Sequence, residues 1–399
     1  MAKNNTAPSS SQASSKSKSL IPVMILVGGI LVALTCLLRP GAEKKEIITC
    51  HKKASPAKKK SKETPLQSCY NEPFMPHKKT SVFASGSYIY WQPSQQNFFV
   101  GQVMSEALPT TGTIRDAHFQ RKTKNFKPKY ESGFKVAFGA QFPEDNWSLY
   151  AEYVRLHSKT HTQASPTPPN FAQSAWIPVN DNDLSTGTLL NSMMSNSWSF
   201  HFDLLDLNLL RACYVGKSLV VSPFITGRGA WIRQSLTAKV SYATSLASLS
   251  NQAEFTQHSL QVGPRIGTDI HWLLGQGFRF SGKVGAALLY NRNHSHQTVP
   301  FVRTNSSTSP NITDNYSTKQ GSFCPNLDLG IGFGWESRKH FGISASYDIL
   351  TFFNQNNLGA NQVVGEIGNF GTINNSPFGL QSQNNLTMHG LTVTMSYAF

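Results

Sequence analysis

From residue 81 to the C-terminus, apolar side chains recur at every second position in segment after segment. Leu327, Leu329, Ile331, Phe333 and Trp335 alternate with Asn326, Asp328, Gly330, Gly332, Gly334 and Glu336. Leu391, Val393, Met395, Tyr397 and Phe399 alternate with Gly390, Thr392, Thr394, Ser396 and Ala398. The same rhythm runs through 262–272, 278–290 and 341–349. A period of two is the period of a β-strand, whose successive side chains point to opposite faces. In a soluble sandwich the second face meets water and carries charge. Here it is mostly Gly, Ser and Thr with an occasional ion, which suits the crowded, enclosed inside of a barrel whose apolar face meets lipid.

Ten strands are read near 81–91, 129–141, 147–159, 198–212, 218–232, 257–273, 278–291, 326–336, 341–353 and 386–399. The gaps alternate. Those at 92–128, 160–197, 233–256, 292–325 and 354–385 are long, and those at 142–146, 213–217, 274–277 and 337–340 are short. Long loops therefore fall on one side of the sheet, and short turns on the other with both termini. Transmembrane barrels of outer membranes have this asymmetry and an even strand number. The segment Ala238–Thr244 either extends a strand above the membrane or supplies an extra hairpin, giving twelve strands. A spanning sheet has to satisfy every backbone group, so 386–399 is expected to pair with 81–91 and close an antiparallel barrel. Trp91, Trp147, Trp198, Trp231, Trp272 and Trp335 lie near strand ends, where aromatic girdles belong.

Composition narrows the class further. At 39% hydrophobic the chain is too polar for a bundle of membrane helices, and at 14% charged it falls below the ~25% of ordinary soluble domains. The net charge of +15 is concentrated at one end, since residues 1–80 hold 14 of the 36 Lys and Arg but 4 of the 21 Asp and Glu. Lys3, Lys16 and Lys18 precede an uncharged run, Leu20–Leu38, which ends at Arg39-Pro40. Residues 1–42 thus read as an export signal, cleaved or retained as an anchor. Residues 43–80, with ten lysines and four prolines, cannot bury enough apolar surface to order themselves. They read as a disordered basic periplasmic linker, suited to docking on anionic envelope polymers. Cys50 and Cys69 lie within it and are candidates for disulfides, including ones between copies of the chain. No structured basic motif accompanies the charge, so specific nucleic-acid binding is not expected.

Residues 81–399 form the barrel domain in this reading, and chemistry is sought there. No G-x-S-x-G, H-E-x-x-H or phosphate-binding loop occurs. His294-Ser295-His296 falls in a loop segment without a carboxylate partner, and His389, Ser396 and Asp348 have no diagnostic spacing. Neither catalysis nor a metal or cofactor is expected. If the apolar alternates face lipid, the pore-lining candidates are Lys135, Asp206, Arg228, Arg265, Asp269, His271, Arg279, Lys283, Asp328 and Asp348, with Glu336. The basic members concentrate on strands five to seven, and Asp328, Glu336 and Asp348 on strands eight and nine. Such facing walls of opposite sign would select solutes by charge and size. Alternatively the groups pair across the lumen and plug it, because ten strands lie nearer to filled eight-stranded barrels than to open sixteen-stranded ones.

Several segments carry a family resemblance. They are Ser85-Gly86-Ser87-Tyr88-Ile89-Tyr90-Trp91-Gln92, Lys129-Tyr130-Glu131-Ser132-Gly133-Phe134-Lys135-Val136, Asp206-Leu207-Asn208-Leu209, Ser222–Trp231 and the terminal Phe399. In this order they resemble the Legionella-type pore-forming major outer-membrane proteins, with relatives among the porin-like proteins of environmental chlamydiae. The resemblance covers roughly 81–399. It implies an outer-membrane barrel, in contact with outer-membrane lipid, that lets small hydrophilic solutes or ions diffuse passively. Phe399, closing an alternating strand, resembles the signal read by the barrel-assembly machinery. The lysine-rich tether departs from the family and keeps open a non-conducting barrel for adhesion or envelope anchoring.

Overall fold

The structure is a computed structural model. It describes residues 80–96, 98–107, 118–143, 145–167, 170–177, 191–216, 218–243, 248–301, 312–337, 340–356, 358 and 384–399. The signal segment, the basic linker, Cys50 and Cys69 lie outside the described residues.

Among the described residues fourteen strands follow one another: β1 (Ser81–Gln95), β2 (Phe99–Ala107), β3 (His118–Asn125), β4 (Glu131–Gln141), β5 (Trp147–Ala164), β6 (Phe171–Ser174), β7 (Asn191–Arg211), β8 (Cys213–Val215), β9 (Leu219–Ala243), β10 (Ser248–Gly275), β11 (Phe278–Phe301), β12 (Ile312–Glu336), β13 (Phe341–Asn356) and β14 (Asn384–Ala398). Ten of them form one antiparallel ring in the order β1, β4, β5, β7, β9, β10, β11, β12, β13 and β14, with β8 as a short addition beside β9. The ring closes as the alternation requires. β14 pairs with β1 from Phe83↔Ala398 to Gln95↔Leu386, and the Phe399 amide donates to the Val82 carbonyl at 2.7 Å.

The barrel has ten strands, not twelve. Residues 238–243 belong to β9, which stays paired with β10 up to Ala243↔Ser248. Likewise most of 292–325 is strand, because β11 and β12 remain paired up to Phe301↔Ile312. Two of the long gaps also hold secondary structure of their own: β2, β3 and β6 make a separate three-stranded sheet. At the opposite end the turns are tight. Gln276 and Gly277 both have positive φ (54° and 90°), as do Asp145 and Asn146 (59° and 55°). Consecutive positive φ values are what a hairpin turn matched to strand twist demands. Gly277 has a second reason to be glycine, since a Cβ there would lie 2.2 Å from the Glu336 carbonyl oxygen.

The strands are strongly tilted. Partner residues traced around the ring from Phe83 run through Gly139, Tyr150, Asn208, Thr226, Arg265, Ala287, Asn326, Phe352 and Leu386, and return to β1 at Gln95. One circuit therefore climbs twelve residues. Twelve residues of rise over ten strand spacings corresponds to a tilt of about 40° from the barrel axis, as in other membrane barrels.

Side-chain direction changes sense along the barrel. In the half near the short turns, large apolar residues point outward: Leu205, Leu207 and Leu209 on β7, Ile331 and Phe333 on β12, Met395 and Tyr397 on β14. Their inward neighbours are polar, for example Asp206 and Asn208. Toward the long loops the assignment inverts. On β7, Phe202, Phe200 and Trp198 are buried inside while His201 and Ser199 face out. On β9, Ile232, Leu236, Ala238 and Val240 are buried while Arg233 and Lys239 face out. The physical reason is the change of outer solvent. Where lipid surrounds the barrel the apolar face looks outward, and where water surrounds it only the inside is dry. Trp231, Trp272 and Trp335 stand on the outer surface, but Trp91 and Trp198 do not belong to a girdle, because both are buried inside.

An outward charge within the apolar zone is expected to be costly. Leu207→Arg should lower unfolding free energy in lipid vesicles by about 2–4 kcal/mol, as read from urea titration. Ser199→Arg, on the same face of the same strand but beyond the zone, should change it by less than about 1 kcal/mol.

Candidate functional site

Inside the ring, four charged residues from four strands meet. Arg228 on β9 donates to Asp206 on β7 through Nε (2.8 Å to Oδ1) and Nη2 (2.6 Å to Oδ2). The same guanidinium donates to Asp328 on β12, Nη1 to Oδ1 at 2.8 Å and Nη2 to Oδ2 at 2.9 Å. Arg228 Nη1 also reaches Asn326 Oδ1, and Arg265 Nε on β10 donates to Asp328 Oδ2 at 2.5 Å. β9 and β12 are separated in the ring by two strands, so the Arg228–Asp328 contact is a bridge across the interior and not a cross-strand neighbour. Two cations and two anions cancel. Bidentate geometry on both carboxylates uses most of the fixed fork of the guanidinium.

Small residues make room for this arrangement. A Cβ at Gly285 would lie 2.9 Å from Nη2 of Arg265, so the β11 wall has to be bare where that side chain passes. The Arg265 guanidinium also lies 4.3 Å from the centroid of the Phe224 ring, a cation–π contact within a desolvated interior. Glycine on the inner face therefore serves long side chains from neighbouring strands.

The remaining sequence-derived candidates also face inward, and Lys135, Asp269, Arg279, Lys283 and Asp348 each have an oppositely charged or hydrogen-bonding neighbour. Lys135 Nζ lies 3.7 Å from Glu152 Oε1 and 5.8 Å from the Trp91 ring centroid. Trp91 Nε1 donates to Thr392 Oγ1 (3.1 Å), which in turn donates to Asp348 Oδ2 (2.6 Å). Asp269 stands directly opposite Lys283 across the β10–β11 pair. Arg279 Nη1 donates to Glu336 Oε2 at 3.0 Å beside the short turns, and His271 lies on the inward face nearby. The expected separate walls of opposite sign are not present. In so narrow a ring, cations and anions interleave and pair, because an unpaired charge held away from water costs more than a paired one.

Sequence reasoning missed Glu152, Asn326 and everything above them. Next to the ion cluster, Gln355 Nε2 donates to Ser259 Oγ (3.0 Å) and Ser259 Oγ donates to Asn291 Oδ1 (2.5 Å). Beyond lies an apolar cap. Phe98 stacks on Phe126 at 4.4 Å and meets Trp198 at 5.3 Å, Trp176 packs on Phe255 at 5.2 Å, and Trp176 Nε1 donates to the Phe99 carbonyl at 2.8 Å. Phe98 precedes β2, Phe99 opens it, Phe126 follows β3 and Trp176 follows β6, so residues from the long connections pack onto Trp198 and Phe255 inside the barrel. A partly open cavity of about 350 Å³ lies beside these rings, lined by Gln95, Phe98, Thr123, Asn125, Phe126 and Trp198 among others. The signal for the cap was present in the sequence as the inverted alternation at 198–204, where the even positions turn apolar.

Residues 74–399 match the family model described as Legionella pneumophila major outer membrane protein precursor. The chain belongs to that major outer membrane protein family. This member is accordingly an outer-membrane protein with the closed barrel just described. No curated protein matches it. Among solved structures it is similar to the outer membrane protease OmpT of Escherichia coli (8% identity, TM-score 0.40, 80% of this chain and 97% of that chain). It is also similar to the toluene transporter TodX of Pseudomonas putida (8% identity, TM-score 0.21, 84% and 92%) and to a FadL homologue of Pseudomonas aeruginosa (7% identity, TM-score 0.22, 81% and 90%). In the family member described here, His389 faces outward and accepts from or donates to Tyr347 Oη at 2.7 Å, whereas Asp348 points inward. Ser396 is seven residues further along β14, so these three do not form a catalytic group. His294 and His296 are strand residues on the outward face of β11, not loop residues.

The ion bridge makes a quantitative expectation. Asp328→Ala leaves two buried guanidinium groups short of a partner and should cost about 3–5 kcal/mol. The double variant Asp328→Ala with Arg228→Met should recover a large part of that loss, measured as the urea midpoint of the heat-modifiable band.

Proposed function

We propose that this outer-membrane barrel is a solute pathway that rests closed, with two seals in series. The observation that carries the reading is the ionised bore on the short-turn side. Arg279 with Glu336, Lys283 with Asp269 and Lys135 with Glu152 line the interior up to the Arg228 bridge. Apolar filling of similar volume would stabilise a purely structural barrel as well or better. Charges kept inside a membrane segment mark a route for polar solutes. The first seal is the Arg228–Asp328 bridge, which hydrated ions can replace. The second is the loop-borne aromatic cap around Phe98 and Trp176.

A second reading has an observation of its own. The apolar packing of Trp198, Phe200, Phe202 and Phe255 beneath the cap resembles a permanent core, and a permanent core belongs to a non-conducting barrel that presents its loops to other surfaces.

Planar-bilayer recording separates the two. Wild-type protein should open rarely. Asp328→Asn combined with Phe98→Ser and Trp176→Ser should raise open probability about tenfold or more, and liposomes carrying it should swell in small sugars. Silence of the triple variant, with its barrel intact by heat-modifiability, would sink the pathway and leave the surface role.

A further inference from the structure

One line of basic side chains crosses the outer surface of the barrel. His157 on β5 is directly opposite His201 on β7, His201 opposite Arg233 on β9, and Arg233 opposite His258 on β10. His258 is opposite His294 on β11, and His294 opposite Lys319 on β12. Six consecutive strands thus each place a basic or imidazole side chain in one row, and all six are exposed and outward-facing. Among the described residues the row contains no carboxylate. Asp203, one outward position below His201, is engaged by Tyr153 Oη at 2.6 Å and Arg155 Nε at 3.8 Å. Glu254, two outward positions above His258, accepts from Gln252 Nε2 at 2.7 Å.

Position and slope define what such a row fits. One outward position beneath it stand Arg155, Asp203, Trp231, Leu260, Arg292 and Gly321, and below these the outward residues are apolar, with Leu205, Val262, Tyr290 and Phe323 exposed. Its lower end therefore sits at the edge of the lipid-facing zone, on the long-loop side that faces the outer leaflet. The row does not stay at that level. Because partner residues climb around the ring, five strand spacings at a tilt of about 40° lift Lys319 roughly 15 Å above His157. An ordinary phospholipid carries its phosphate at one depth and would meet only the lower end.

We infer that this stripe binds a phosphorylated glycolipid of the outer leaflet, with acyl chains on the apolar zone, lipid-borne phosphates at His157 and His201, and anionic sugars along Arg233, His258, His294 and Lys319. Burial, then His201 and Arg155, hold the His157 imidazole below its ordinary range; burial, then Arg233 and His294, do the same for His258. A bound polyanion relieves that repulsion. The inference is independent of whether the lumen conducts.

The full chain in nonionic detergent, incubated with core-bearing lipopolysaccharide, should retain it through gel filtration. Arg233→Ser with Lys319→Ser should weaken retention about tenfold or more while the heat-modifiable band is unchanged. His258→Ser with His294→Ser should weaken it further. Phosphatidylglycerol at equal concentration should not compete, and neither should inorganic phosphate. Equal retention by the variants overturns the stripe as the site. Equal competition by phosphatidylglycerol reduces it to a single-depth headgroup contact, and competition by inorganic phosphate to a free-anion site; either result overturns the glycolipid assignment.

Discussion

A backbone amide in hydrocarbon has no water to turn to, and the rest of this structure follows from how the chain meets that constraint. Among the described residues each of the ten ring strands is hydrogen-bonded to a neighbour on both sides, and the last pairing, β14 with β1, leaves no edge. Closure with ten strands and a twelve-residue climb then fixes the bore. The interior is narrow enough that arginine on one wall reaches aspartate three strands away. In a wider barrel Arg228 and Asp328 would each face water, and in a narrower one neither would fit.

Two consequences of the narrow bore pull against each other. Polar side chains have to fill it, because the outer face has claimed the apolar residues; yet packed polar groups require partners. The structure resolves this by interleaving cations with anions and by setting glycines such as Gly285 opposite the longest side chains. The resulting ion pairs hold the walls together in a specific register.

The barrel extends past the membrane on its long-loop side, and there it behaves as an ordinary folded protein. Its inside becomes aromatic, its outside polar, and β2, β3 and β6 complete the core as they would in a soluble domain. Because tilt carries neighbouring strands to different heights, residues that are partners in the sheet are not level in the membrane. The slanted basic stripe is a property of that tilt as much as of its six side chains.

The period-two pattern of residues 81–399 determined by itself that this domain is a β-barrel, that short turns and long loops alternate, and that its first and last strands pair; ten strands against twelve was decided by the β9–β10 register. Alternation is local, so it survives without any knowledge of neighbours. Lys135, Asp206, Arg228, Arg265, Asp269, His271, Arg279, Lys283, Asp328 and Asp348 were legible as inward residues for the same reason. Only the tertiary structure decided that Arg228 meets Asp328, that Trp91 and Trp198 turn inside, and that His157 through Lys319 line up. Those facts depend on the register between strands far apart in sequence and on where lipid gives way to water, and a single strand's pattern carries neither.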